Sequence, residues 1–182
     1  MQDAHLQELY GRMRSVLAAE APVSEALLLR RVVQSYGIAR SGSRIQGHLA
    51  ALLDSLRLTE TTQDGQRFFW VEGQEPDRYT RLRANGEGAD RRDARDVSVQ
   101  EAANAVVCAL CEQVSLPRED LIRESARLMG FTRLGGNVSS LFDAAVAYAA
   151  ERGWIASGGS ACTLTADGQA WYDALGTEAT PH

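Results

Sequence analysis

Gly37-Ile38-Ala39-Arg40-Ser41-Gly42-Ser43-Arg44-Ile45 is a stretch whose pattern returns 93 residues later, from Gly130 to Val138. Both copies run glycine, apolar residue, any residue, arginine, any residue, glycine, two further residues and a second apolar residue. Agreement at this many positions indicates that one supersecondary unit has been duplicated. The same spacing pairs Leu28 with Leu121, Arg30 with Arg123 and Leu49 with Phe142.

Apolar residues recur at helical spacing around the first copy. The spacing predicts a helix over about residues 3–19, and a second helix that begins after the N-cap Ser24 and ends at Gly37. Ser43 and Gln46 have capping-box spacing, which predicts that a third helix starts there. The residues expected on the buried face of this third helix are Ile45, Leu49, Leu52 and Leu56.

A β-hairpin is predicted directly after the third helix. Residues 58–62 and 68–71 are strand-prone, and Asp64-Gly65 between them is a tight-turn signal. Three helices followed by a hairpin is the order of a winged helix, in which a helix-turn-helix carries a two-stranded wing. The first winged-helix-like unit is therefore predicted over residues 1–72.

The second half of the chain repeats this order. A second winged-helix-like unit is predicted over residues 97–176, so that the fold class is mainly α (α+β) with two units in tandem. Residues 73–96 hold twelve charges and lack apolar periodicity, which predicts a charged linker. Residues 177–182 are predicted to be a disordered tail. The second unit's expected elements are helices at about 97–114, 117–130, 137–152 and 168–175 and strands at 154–156 and 161–164.

Composition excludes several kinds of chemistry. The 19 basic residues are all arginine, and without lysine there can be no GxxxxGK[ST] phosphate loop and no Schiff base. No stretch approaches the roughly 20 apolar residues that span a bilayer, and no signal-peptide pattern opens the chain. We therefore expect a cytoplasmic protein that contacts no membrane. The net charge of −5 lies in the second half, where residues 97–182 hold five arginines and ten acids.

The chain resembles the domain of unknown function 3320 family, which forms the C-terminal domain of bacterial superfamily 1 helicase-like proteins. The resemblance extends over about residues 5–157 and implies an accessory role beside a helicase or a restriction-endonuclease-like domain, in the same chain or in a partner. It supplies no catalytic residue. The matching stretches are Ala21–Arg31, Gly37–Ile45, Glu101–Ala103 and Leu121–Arg133.

The third helix of the first unit is the best candidate for a functional surface. In a helix-turn-helix the N-terminal residues of this helix face the DNA major groove, where arginine can bind guanine and glutamine can pair with adenine. The equivalent positions of the second unit include Asn137, Ser139 and Asp143, which would attract phosphate weakly. The predicted nucleic-acid-binding residues are Arg40, Ser43, Arg44, Gln46 and His48, with Arg67 on the wing.

Two other functions are compatible with the sequence. One is a protein-interaction module without DNA contact, and the other is a stand-alone winged-helix transcriptional regulator. An enzyme is the least supported class, and we expect no catalytic residue, cofactor, metal or small-molecule ligand. The CxxC pair Cys108 and Cys111 falls in the middle of a predicted helix without a second cysteine pair, so we expect both to pack in the core.

Overall fold

A computed structural model gives the fold, and it describes residues 2–86, 88, 91–158 and 160–175. The chain divides into two compact units, residues 1–76 (unit 1) and residues 77–182 (unit 2). The architecture is mainly helical with two small antiparallel sheets, as the α+β prediction requires. The predicted disordered tail lies outside the described residues.

Unit 1 has three helices and one three-stranded sheet. Its sheet has the order β1-β3-β2, so that the strand between the first two helices pairs with the second strand of the hairpin. The core between helices and sheet includes Met13, Leu28 and Phe69. The elements are α1 (Gln2–Glu20), β1 (Val23–Ser24), α2 (Glu25–Gln34), α3 (Ser43–Ser55), β2 (Thr59–Gln63) and β3 (Gln66–Trp70).

The ends of α2 form as the sequence predicts. Ser24 is the N-cap, and its hydroxyl accepts a hydrogen bond from the backbone N–H of Leu27 at 3.1 Å. Gly37 adopts a left-handed conformation with φ +74° at the other end. This conformation lets the N–H of Ile38 donate to the carbonyl of Val33, which is the pattern of a Schellman C-cap.

Unit 2 repeats the element order of unit 1 and adds one helix. Its sheet has the equivalent order β4-β6-β5. Gly130 has φ +81° and the N–H of Phe131 donates to Ala126, so the second copy of the repeat also ends its helix with a Schellman motif. The elements are α4 (Val99–Gln113), β4 (Ser115–Leu116), α5 (Arg118–Leu128), α6 (Gly136–Glu151), β5 (Ile155–Gly158), β6 (Ala161–Leu164) and α7 (Ala166–Leu175).

The additional helix α7 packs closely against unit 2. Thr165 caps it by accepting from the N–H of Gly168, and a Cβ built on Gly168 would lie 2.0 Å from the carbonyl oxygen of Trp154. The rings of Trp154 and Trp171 stack with their centroids 4.2 Å apart. A glycine is therefore required where α7 meets the start of β5.

Two details of the α3 prediction are wrong. Ile45, expected on the buried face, is 51% exposed: it shares a face with Leu49 and Leu53, but the core contact of α3 begins only at Leu49, one turn later. The capping box does not form either. Gly42, which has no side chain to cap the helix, occupies the N-cap position, and Ser43 is already the first helical residue.

Residues 77–86, 88 and 91–96, which the sequence assigns to a linker, lie inside unit 2. Two side chains of α4 hold this segment. Glu101 pairs with Arg83 and Arg92, and the amide of Asn104 donates to the carbonyls of Tyr79 and Arg81 at 2.9 Å each. Polar contacts of this kind leave no apolar periodicity in the sequence, although they bind the segment tightly.

Candidate nucleic-acid interface

The N-terminus of α3 is an exposed, uncapped helix end. All residues from Gly42 to His48 are exposed. The first N–H groups with a backbone partner are those of Ile45 and Gln46, which both donate to the carbonyl of Gly42 at 3.1 Å. The free N–H groups of a first helical turn, together with the helix dipole, attract anions. This end of α3 is therefore favourable for a phosphate, provided that cationic side chains lie near it.

Two arginines supply positive charge at this end. Arg40 lies in the turn before α3 and Arg44 in its first turn, and both are exposed. Within the part of the chain that the structure describes, neither side chain forms an ion pair. His48 lies one turn after Arg44 on the same face of the helix, as expected from their spacing of four residues.

The remaining two predicted residues of α3 are also exposed. Ser43 lies at the start of the helix, where its hydroxyl is accessible. Gln46 lies on the other side of the helix from Arg44 and donates to the carbonyl of Ser41 at the long distance of 3.5 Å. Five of the six predicted contact residues thus share one helix end and the turn before it.

Arg67 has a different environment. Its guanidinium donates to Glu25 at 2.7 Å, to Asp54 at 2.7 Å and to Glu60 at 3.3 Å. The hydrogen bonds that Arg67 donates to Glu25 and Asp54 raise the pKa of Arg67 above its ordinary value. The arginine ties the hairpin to the start of α2 and the end of α3, and three carboxylates already satisfy its charge. A sequence cannot reveal this, because the three acids lie at unrelated spacings.

The equivalent surface of unit 2 differs in its polar contacts. Gly135 is the N-cap of α6 and also provides no side-chain cap. The amide oxygen of Asn137 accepts from Arg95 at 3.4 Å, and Asp143 pairs with Arg118 at 3.0 Å. Arg133, the counterpart of Arg40, is exposed.

An open apolar groove runs beside α3 in unit 1, and sequence reasoning misses it because it places Ile45 in the core. The cavity has a volume of about 630 Å³. Ile38 and Ile45 on its rim are 48% and 51% exposed. Tyr36 contributes its ring, and its buried hydroxyl has no hydrogen-bond partner among the described residues. The lining residues are His5, Leu9, Val32, Val33, Tyr36, Ile38, Ser41, Arg44, Ile45, His48 and Leu49.

The cysteines lie in unit 2. Cys108 and Cys111 lie in the second half of α4, and both are only partly buried, whereas the sequence predicted two buried core residues. Burial raises the pKa of Cys108 to about 11, so its thiol stays protonated near neutral pH. No cluster of His, Cys, Asp or Glu among the described residues could hold a metal ion. None of the described helices is long and apolar enough to cross a membrane.

One family model matches part of the chain. Residues 2–47 match the model of a family described as a protein of unknown function (DUF3320). The match runs from α1 to the first turns of α3 and confirms the predicted resemblance there, over a shorter stretch than residues 5–157. No curated protein and no solved structure matches the chain.

Proposed function

We propose that this protein, whose residues 2–47 match the DUF3320 family, binds double-stranded DNA through unit 1, with the N-terminus of α3 against the duplex. One observation carries the proposal. Arg40 and Arg44 are exposed, form no ion pair with any described residue, and lie at a helix end whose first N–H groups are also open. Arginine side chains and helix N-termini are among the groups that contact DNA phosphates.

The element order supports a winged-helix assignment for unit 1. A strand between the first two helices pairs with the second strand of a terminal hairpin, and α3 takes the place of a recognition helix. In such a fold the start of this helix enters the major groove. Gln46 then faces base edges, while Arg40, Arg44 and the hydroxyl of Ser43 contact the backbone.

The charge distribution predicts weak and mainly electrostatic binding. With Arg67 neutralised by three carboxylates, Arg40, Arg44 and His48 are the basic residues of the predicted set that remain to contact phosphates. We expect affinities in the non-specific range, with Kd values of about 10⁻⁴–10⁻⁶ M at physiological salt. Such affinity suits a non-catalytic accessory module of the cytoplasm that acts beside helicase or nuclease domains, as the family resemblance implies.

Fluorescence anisotropy with a labelled duplex tests this proposal. The double variant Arg40→Ala/Arg44→Ala should weaken binding at least tenfold at low salt, since it removes two phosphate contacts. Arg133→Ala, the repeat-equivalent change in unit 2, is the matched control and should alter the affinity less than twofold. Absence of binding by the unmodified chain at low salt, or equal losses in both variants, would contradict the proposal.

A further inference from the structure

Unit 2 has a surface equivalent to the groove beside α3 in unit 1. In unit 2 a segment of the same unit covers this surface. In unit 2, Asn85 and residues 91–97 lie over the equivalent helices, and we call them the strap. The N–H of Asn85 donates to the carbonyl of Met129 at 2.9 Å, and the 3-10 turn Ala94–Asp96 packs against α6. Ala94 and Val97 are buried in the core of unit 2.

Positions paired by the repeat show what the strap covers. Phe131 in unit 2 is only 8% exposed, whereas its counterpart Ile38 in unit 1 is 48% exposed. A Cβ built on Gly130 would lie 3.3 Å from Asn85, whereas one built on Gly37 would meet no described atom within 4 Å. Each unit therefore has its own copy of this surface. In unit 2 the strap covers it, and in unit 1 no described segment does.

The start of the third helix of each unit, α3 in unit 1 and α6 in unit 2, is likewise open in unit 1 and contacted by the strap in unit 2. Arg95 of the strap donates to Asn137, and residues 91–94 line one cavity together with Phe131 and Val138. In unit 1 the corresponding Arg44 makes no ion pair with any described residue, and the corresponding Ile45 is half exposed. Exposed apolar side chains grouped around one groove are typical of a protein-binding surface.

The charges of the open groove indicate the chemistry of its occupant. Its described lining includes His5, Arg44 and His48 but no aspartate or glutamate. Its floor is apolar, with Leu9, Val32, Val33 and Leu49. A polypeptide with small or branched apolar residues and neighbouring carboxylates is complementary to this surface.

We infer that the groove of unit 1 binds a short acidic, apolar segment of a partner protein, in the way that the strap covers unit 2. The segment buries Ile38 and Ile45, and its carboxylates face Arg44 and His48. This site shares Arg44 and His48 with the proposed DNA contact, and the exposed apolar side chains Ile38 and Ile45 distinguish it from that contact.

A peptide-display selection on the intact chain tests the inference. Random peptides of about 16 residues, long enough to span a groove of this kind, should be enriched for aspartate or glutamate next to alanine, valine or leucine. Enriched peptides should bind at least tenfold more weakly to Ile45→Glu, which introduces a like charge into the groove. Val114→Ser is the matched control, because Val114 is also an exposed apolar residue, at 78%, but lies in unit 2.

Three outcomes would overturn the inference. The first is that no enriched peptide depends on Ile45, and the second is that the enriched peptides are basic. The third is self-association of the chain in sedimentation that Ile45→Glu abolishes, which would make a second copy the occupant. Ile38→Ser separates this site from the DNA contact, because it should weaken peptide binding at least tenfold and change duplex affinity less than twofold.

Discussion

Nη1 of Arg92 lies 2.8 Å from Oε2 of Glu101, and both side chains are buried. Arg83 donates to the same carboxylate from its backbone N–H and its guanidinium, at distances of 2.6–3.1 Å. Asn85 in turn exchanges two hydrogen bonds with the backbone of Arg92. One carboxylate of α4 thus organises the segment that the sequence predicts to be a linker.

Loss of this carboxylate should destabilise unit 2 strongly. We expect Glu101→Ala to lower the free energy of unfolding by about 3–5 kcal/mol, because it leaves the buried guanidinium of Arg92 without its partner. Urea unfolding followed by tryptophan fluorescence measures the change, since Trp154 and Trp171 report on unit 2. The exposed pair Arg123–Asp120 provides the control, and Asp120→Ala should cost no more than about 1 kcal/mol. Equal losses would contradict the structural role given to Glu101.

The stability of unit 2 should also depend on pH through Glu101. Burial alone would raise the pKa of Glu101, but the charges and hydrogen bonds of Arg83 and Arg92 outweigh burial and hold the pKa below its ordinary value of 4.5. A carboxyl whose pKa is lowered by folding contributes its stability above its unfolded pKa, and this contribution is lost as pH falls towards the folded pKa. Urea melts between about pH 6 and pH 3 should therefore show a steeper loss for the unmodified chain than for Glu101→Gln. Parallel profiles would show that Glu101 is not held ionised.

Gly168 should tolerate no side chain. Gly168→Ala places a methyl group against the carbonyl of Trp154, so we expect a loss of at least about 1–3 kcal/mol. Gly11→Ala is the control, because Gly11 lies within α1 and no described atom lies near the position of the added methyl group. Alanine there should stabilise the helix by about 0.5–1 kcal/mol. Thermal melts of both variants distinguish a steric clash with the carbonyl of Trp154 from a general effect of replacing glycine by alanine in a helix. A stable Gly168→Ala variant would show that α7 does not pack at this distance.

The orientation of α3 can be tested with two neighbouring apolar residues. Leu49 is only 4% exposed, and Leu49→Ala should cost about 2–5 kcal/mol. Ile45 lies one turn earlier and is half exposed, so Ile45→Ala should change stability by no more than about 0.5 kcal/mol. Equilibrium urea unfolding gives both values. A larger loss of stability for Ile45→Ala than for Leu49→Ala would contradict the structure and support the buried position that the sequence predicts for Ile45.

Sequence reasoning predicts the helices and strands of each unit better than it predicts which of their faces are covered. Helices and hairpins follow from local signals, such as Ser24 at an N-cap, the glycine at position 37 and the Asp64-Gly65 turn, and these form as predicted. The strap and the groove depend on which helix face each unit leaves uncovered. The segment that contains the strap is held by polar contacts to Glu101 and Asn104, which produce no periodic pattern.

The two-residue strands β1 and β4 are not predicted from the sequence, because they also depend on tertiary contacts. Val23–Ser24 and Ser115–Leu116 are too short to show alternation, and they form because β3 and β6 offer an edge for pairing. The role of Arg67 is equally hidden, since its three carboxylate partners come from α2, α3 and β2. Tertiary contacts rather than local preference determine these features.

The salt dependence of duplex binding tests the proposed DNA contact most directly. Each phosphate contact contributes about −0.9 to the slope of log K against log salt concentration. With Arg40, Arg44 and the start of α3 as the contacts, we predict a slope between about −2 and −3 for the unmodified chain, reduced in magnitude by about 2 in Arg40→Ala/Arg44→Ala. An unchanged slope in the double variant, or an affinity that does not vary with salt, would contradict the assignment of DNA binding to the start of α3.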